Sequence, residues 1–149
     1  MILRLLHPGS GPSGPLGDVA RDYQTRLKRH LRVEERYVRP SRSRGGDEAS
    51  KLLASHRPGD LLVALDVGGK PLSSEALASQ MQGWMTRGVK VVHLAVGAAE
   101  GLSEEVLQRA DLRWSLGAAT LPHDLAMVVM WEQLYRGMTI IRGEPYHKG

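Results

Sequence analysis

Residues 61–97, LLVALDVGGKPLSSEALASQMQGWMTRGVKVVHLAVG, are the stretch from which the architecture follows. Leu61 to Asp66 is a short, nearly continuous apolar run of the kind found in strands covered on both faces, and Pro58-Gly59 resets the chain before it. Ser73 or Ser74 with Glu75 begins a helix to about Arg87, Gly88 closes it, and Val89 to Val96 is a second buried strand ending at Gly97. Apolar strands alternating with helices argue for an α/β domain around a parallel sheet.

Outward from this unit the alternation continues. Ile2 to His7 reads as a strand, followed by Pro8 to Gly17, whose three Pro and four Gly read as a long, non-helical opening loop. A helix is expected from Asp18, its plausible cap, to about Leu31, with Val19, Tyr23, Leu27 and Leu31 on one face. Val33 to Val38 is the next strand, Arg39 to Gly46 a polar basic loop, and Asp47 to His56 a short helix. Beyond the central unit come a short helix from Ser103, a strand over Leu112 to Leu116, and a helix from Pro122 or His123 to about Met138. The expected fold is one α/β domain over residues 1–149, a mostly parallel sheet flanked by helices.

The last helix carries Leu125, Met127, Val128, Val129, Met130, Trp131, Leu134 and Met138, so it is apolar on more than one face. A helix of that kind is buried on both sides, which points to a homodimer interface, with burial inside one chain as the competing account.

Composition removes several classes of function. With no Cys there are no disulfides, thiolate metal sites or cysteine nucleophiles, and the six His lack the paired spacing of metal sites, so no metal is expected. Walker-type and long dinucleotide fingerprints are missing. No apolar run approaches the ~18 residues of a membrane span, and Ile2 to Leu6 is too short for a signal-peptide core, which suits a soluble cytoplasmic protein. From Arg21 to Arg44 nine Lys or Arg face three acids, which leaves the rest of the chain net negative. Such a block suits a phosphate backbone, although a solvated helix face would have the same pattern. With no Phe and only three Trp and four Tyr, a nucleic-acid partner would have to be held by charge more than by stacking.

In open α/β sheets ligands bind beyond the carboxyl ends of strands. Three such ends are rich in small residues: Leu65 to Lys70, Val96 to Leu102, and Leu116 to His123. Small side chains let backbone N–H and C=O groups approach a flat ligand such as adenine, although each loop alone could serve only as a turn or a cap.

These segments carry a resemblance to the bacterial and plastid pseudouridine N3-methyltransferases of the SPOUT, or trefoil-knot, superfamily. It rests on Leu65-Asp66 with Gly69-Lys70, Gly97 with Glu100 to Ser103, Trp114 to Leu116, Thr120 to His123, Glu132 to Arg136, and Pro145 to Lys148, six motifs in one order. The resemblance implies a C-terminal deep trefoil knot, a homodimer with pockets near its interface, and S-adenosylmethionine as cofactor, held largely by the backbone of Leu65, Gly97, Leu116, Gly117, Ala118, Ala119, Thr120 and Leu121. The implied substrate is a pseudouridine in large-subunit ribosomal RNA on the assembled ribosome, with a non-catalytic RNA-binding assembly factor of the same fold as the alternative. Two departures stand out: Ala98-Ala99 where the family has a second glycine and a proline or small polar residue, and Met127 where it usually has arginine.

Methyl transfer from a sulfonium needs alignment, desolvation and release of the N3 hydrogen. Tyr146, His147 and Lys148 are the expected catalytic group, a ring, an imidazole and a cation delivered together by the tail. Arg26, Arg42, Arg44 and Arg136 are expected at the RNA, with Glu132 placed to pair with Arg136 on one helix face. His123, at the start of a helix, is expected to orient a loop.

Overall fold

A computed structural model describes residues 1–38 and 46–149, residues 46–48 by backbone only. The elements in chain order are β1 (Ile2–Pro8), α1 (Gly14–Leu27), β2 (Arg32–Val38), α2 (Gly46–Leu53), β3 (Leu61–Pro71), α3 (Ser74–Thr86), β4 (Val91–Ala95), α4 (Glu104–Arg109), β5 (Leu112–Ser115) and α5 (His123–Arg142). The five strands form one sheet in the order β2-β1-β4-β3-β5, and every pairing is parallel. The alternation read from residues 61–97 therefore extends through the sheet.

Strand residues divide between two apolar layers, because successive side chains leave a strand on opposite faces. Leu3, Leu5, Val63, Val92 and Leu94 pack with α1, α3 and α5 through Leu27, Met81, Met130 and Trp131. Leu6, Leu62 and Ala95 pack on the other side with Leu52 of α2 and Val106 of α4. The intramolecular account thus holds for one stripe of α5, where Met127, Met130, Trp131, Leu134 and Met138 are buried against α1 and α3. Leu125, Val128 and Val129 stay only half-buried.

Several boundaries differ from expectation for identifiable reasons. Helix α1 begins at Gly14, four residues before Asp18, because Pro15 falls in its first turn, where a missing N–H costs nothing. Ser13 occupies the cap position, and Asp18 instead pairs with Arg21 at 2.5 Å. The buried face is Gly17, Ala20, Gln24 and Leu27 rather than the expected stripe, leaving Val19 41% exposed and Tyr23 half-buried. Helix α5 runs on to Arg142 and stops at Gly143, whose φ of 68° is left-handed.

The largest difference is in β3, which does not end at Asp66. Trp114 pairs with both Leu65 and Lys70, so the intervening residues bulge out and the strand then resumes. Gly69 makes this possible: a Cβ there would lie 2.6 Å from the carbonyl carbon and oxygen of Arg113.

His93 lies on β4, facing the α2 and α4 layer with no exposed surface, its Nε2 3.0 Å from Asp60 Oδ2. Burial holds its pKa below the ordinary 6.5 against the opposing pull of Asp60. An unfolded chain takes up this proton near pH 6.5 and the folded one resists it, so stability is full above that pH and declines as the pH falls below it. Urea unfolding should accordingly show a stability loss between pH 7.5 and 5 that is smaller in His93→Gln; parallel losses in the two proteins would assign the acid sensitivity to other groups.

Candidate active site

The carboxyl ends of β3, β4 and β5 meet the start of α5 around a cleft of about 180 Å³. Leu65 lies on one wall and Gly97 on a second, with Leu116, Gly117, Ala119, Thr120 and Leu121 forming the loop that closes the third. Seven of the eight expected cofactor residues therefore share one cleft. Ala118 is exposed in the same loop and does not line it. Val67, Trp114 and Ala126 also line the cleft, although the sequence reading did not count them among the cofactor residues. Trp114 was read as part of a strand and of the Trp114 to Leu116 motif but given no role at the cofactor, and Ala126 enters because it lies one helical turn beyond Pro122, whose carbonyl accepts its N–H at 2.9 Å.

Gly97 decides the shape of the second wall. A Cβ on it would fall 2.4 Å from the carbonyl carbon of Gly101 and 2.7 Å from the nitrogen of Leu102, so the loop folds back on itself only with glycine there. Ala98 and Gly101 bridge the same turn and both line the cleft. The Ala98-Ala99 departure therefore keeps the wall small.

Met127 is different. It is fully buried in the α1, α3 and α5 core, so this position serves packing here and faces neither RNA nor a cofactor carboxylate.

Larger hollows lie elsewhere, including one of about 430 Å³ between α1 and β2. That groove is lined by Arg21, Lys28, Glu35 and Tyr37, charged or bulky groups unsuited to close backbone approach.

The tail forms a second constellation, seated along the middle of α5. Tyr146 donates its hydroxyl to Glu132 Oε1 at 3.0 Å, lies 3.2 Å from the Tyr23 hydroxyl, and meets the Tyr135 ring edge-on at 4.7 Å. Burial, with these bonds to Tyr23 and Glu132, pushes its phenol above the ordinary range. Arg136 sits over the Tyr146 ring at 4.7 Å and donates to Glu132 through Nε at 2.9 Å and Nη2 at 2.5 Å. The expected Glu132 to Arg136 pairing along one helix is thus present.

His147 is engaged at both nitrogens. Arg136 Nη1 donates to Nδ1 at 3.1 Å, which leaves the proton on Nε2 to donate to Glu75 Oε1 at 2.8 Å. That bond holds the Glu75 carboxyl below its ordinary value. Lys148 is exposed.

Arg26 belongs to the same cluster, paired with Asp22 at 3.0 Å and lying over the rings of Tyr23 and Tyr135 at 5.3 and 5.8 Å. Arg42 and Arg44 lie outside the described residues. Tail and cleft are separate within one chain: Ala126 lines the cleft, whereas the tail is held at Glu132 and Arg136, roughly 9 to 15 Å further along the helix axis.

A parallel sheet with its small-residue loops gathered at the carboxyl ends of three adjacent strands defines an open α/β fold with a cleft at the place where such folds bind ligands. Among such proteins the chain belongs to the SPOUT methyltransferases: the family model described as "Predicted SPOUT methyltransferase" matches residues 1–147. It is 42% identical to the ribosomal RNA large subunit methyltransferase H of Anaeromyxobacter sp. (strain K), covering 99% of this chain and all of the relative. It is 39% identical to the protein of the same name from Methylobacterium nodulans, over 100% of this chain and 99% of that one. A probable methylase family protein from Haemophilus influenzae shares the fold with a TM-score of 0.59 at 15% identity, over 99% of this chain and 70% of that one. A probable methyltransferase from Bordetella pertussis does so at 0.57 and 14%, over 91% and 95%.

Among the described residues, no helix is long and apolar enough to cross a membrane.

Proposed function

We propose that this protein methylates large-subunit ribosomal RNA at N3 of a pseudouridine, using S-adenosylmethionine held in the cleft between β3, β4 and β5. The convergence of Leu65, Gly97 and the 116–121 loop on one small-walled space carries this reading. The lining suits the cofactor chemically, since glycine and alanine expose the backbone donors and acceptors that an adenine edge needs. The names of the relatives supply the ribosomal RNA.

When bound, the cofactor supplies a sulfonium methyl group open to in-line attack. The chain's own residues then have two tasks, holding the base in line and easing the loss of its N3 proton. Arg136 and Lys148 bring positive charge that favours the anion at O2 or O4 of the ring. His147 accepts the N3 proton at Nδ1 once Arg136 turns from it to the base. Tyr146 packs edge-on against Tyr135 and fixes the tail's direction.

Because the tail is seated away from the cleft of its own chain, the reading includes a homodimer in which a second copy brings its tail to that cleft, covering the half-buried Leu125, Val128 and Val129. The trefoil threading of the C-terminal part and a cytoplasmic location belong to the same reading. So does recognition of RNA shape supplied by the ribosome.

The test is nucleoside mass spectrometry after incubating the protein and S-adenosylmethionine with ribosomes, with large subunits and with a naked RNA hairpin. A new 3-methylpseudouridine in the ribosomal samples is expected, with little in the hairpin. Ribosome binding without methylation would favour an assembly factor of the same fold.

A further inference from the structure

We propose that His7 is a positioning residue for the cofactor cleft, joining two of its walls from behind. The inference rests on the reading of that cleft as the S-adenosylmethionine site. His7 is the penultimate residue of β1, a strand that lends no side chain to the cleft lining. It is only 2% exposed, a polar residue closing a strand otherwise rich in leucine.

Its Nδ1 lies 2.8 Å from the carbonyl oxygen of Val96. A carbonyl only accepts, so Nδ1 carries the proton. The N–H of Val96 donates to the Leu6 carbonyl at 3.0 Å, so the residue immediately before Gly97 is tied to the end of β1 through both of its backbone groups. The next residues make the tight Gly97 to Gly101 approach, which tolerates little movement.

The other side of the imidazole meets His123. The two rings lie 5.6 Å apart at 30°, and His123 lines the cleft where α5 begins, directly after the 116–121 loop. Tyr37 meets the imidazole of His7 edge-on at 6.2 Å. One buried ring therefore spans the β4 loop and the start of α5.

Holding β1 in the sheet does not require this ring, because β1 is laddered to β2 as far as Pro8 and to β4 as far as Leu6. What the imidazole adds is a fixed distance between two loops that must grip the same ligand.

Two substitutions separate the donor from the packing. His7→Phe keeps a ring between His123 and Tyr37 but leaves the Val96 carbonyl without its side-chain donor, whereas His7→Asn keeps an N–H near the Nδ1 position. Calorimetry with S-adenosylmethionine on the full chain should show binding weakened roughly 5- to 10-fold in His7→Phe, the scale of one hydrogen bond, and within about 2-fold of wild type in His7→Asn. Wild-type affinity in His7→Phe would overturn the proposal, as would equal losses in both variants that track a common fall in Tm.

A second measurement needs no variant. The nitrogen-15 spectrum of histidine-labelled wild type should show His7 protonated at Nδ1, with exchange of that proton slowed on adding S-adenosylmethionine; a neutral ring protonated at Nε2 would overturn the proposal. Absence of S-adenosylmethionine binding in the wild type itself would remove the cofactor reading together with this role, a different result from intact binding that ignores His7.

Discussion

Gly97→Ala is expected to weaken S-adenosylmethionine binding on the order of 100-fold and to reduce methyl transfer at least as much, because a shift of about 1 Å at a reacting site has that scale. The added Cβ would meet the carbonyl carbon of Gly101 at 2.4 Å, its oxygen at 2.7 Å and the nitrogen of Leu102 at 2.7 Å. All three are backbone atoms, so no side chain can swing aside and the 97–102 turn itself has to open. Ala98 to Gly101 are exposed beyond β4, and only Leu102 of this turn packs against an apolar layer, so Tm should fall less than affinity does. Affinity and Tm measured together decide the matter: wild-type binding by Gly97→Ala would show that this turn does not shape the ligand site.

Glu132→Ala is the second large effect. This carboxylate accepts from Arg136 through two nitrogens, from the Tyr146 hydroxyl, and from Gln133 Nε2 at 2.7 Å. Without it, Arg136 loses its acidic partner and Tyr146 keeps only the Tyr23 hydroxyl. The tail that the proposed chemistry depends on is then no longer held in one direction. Turnover at saturating cofactor should drop on the order of 100-fold, the scale of a displaced acid–base or charge-stabilising group, with S-adenosylmethionine affinity within about 2-fold of wild type. Stability should fall by about 1 to 3 kcal/mol, since donors at a half-buried site lose their acceptor. Glu132→Gln, which retains an acceptor but no charge, should fall between the two. Unchanged turnover in Glu132→Ala would dissociate the tail from the reaction.

The sequence was most legible where one physical requirement dictated residue type. Apolar strand runs announced a sheet covered on both sides, and Ser73 and Ser103 cap α3 and α4, where Ser and acidic residues had marked helix starts. The loops beyond the strands could be recognised by their small residues, but their convergence depends on strand order, which periodicity does not encode. The start of α1 was misread because Pro15 was weighed as a breaker, although the first turn tolerates it. The resumption of β3 after Gly69 was hidden for a similar reason: two adjacent glycines imply a turn, and only the neighbouring Arg113 carbonyl explains why a strand continues past them. His7 carried no signal, since a single histidine at a strand end looks the same whether solvated or buried.

The single polarity of the sheet also has a practical side. With all five strands running the same way, the turns at Gly59 and Gly88 lie at the pole opposite the cleft, roughly 15 to 20 Å away along a strand of five or six residues. A fluorophore or surface tether attached at either turn would report on or immobilise the protein without standing in the path of a substrate approaching the cleft.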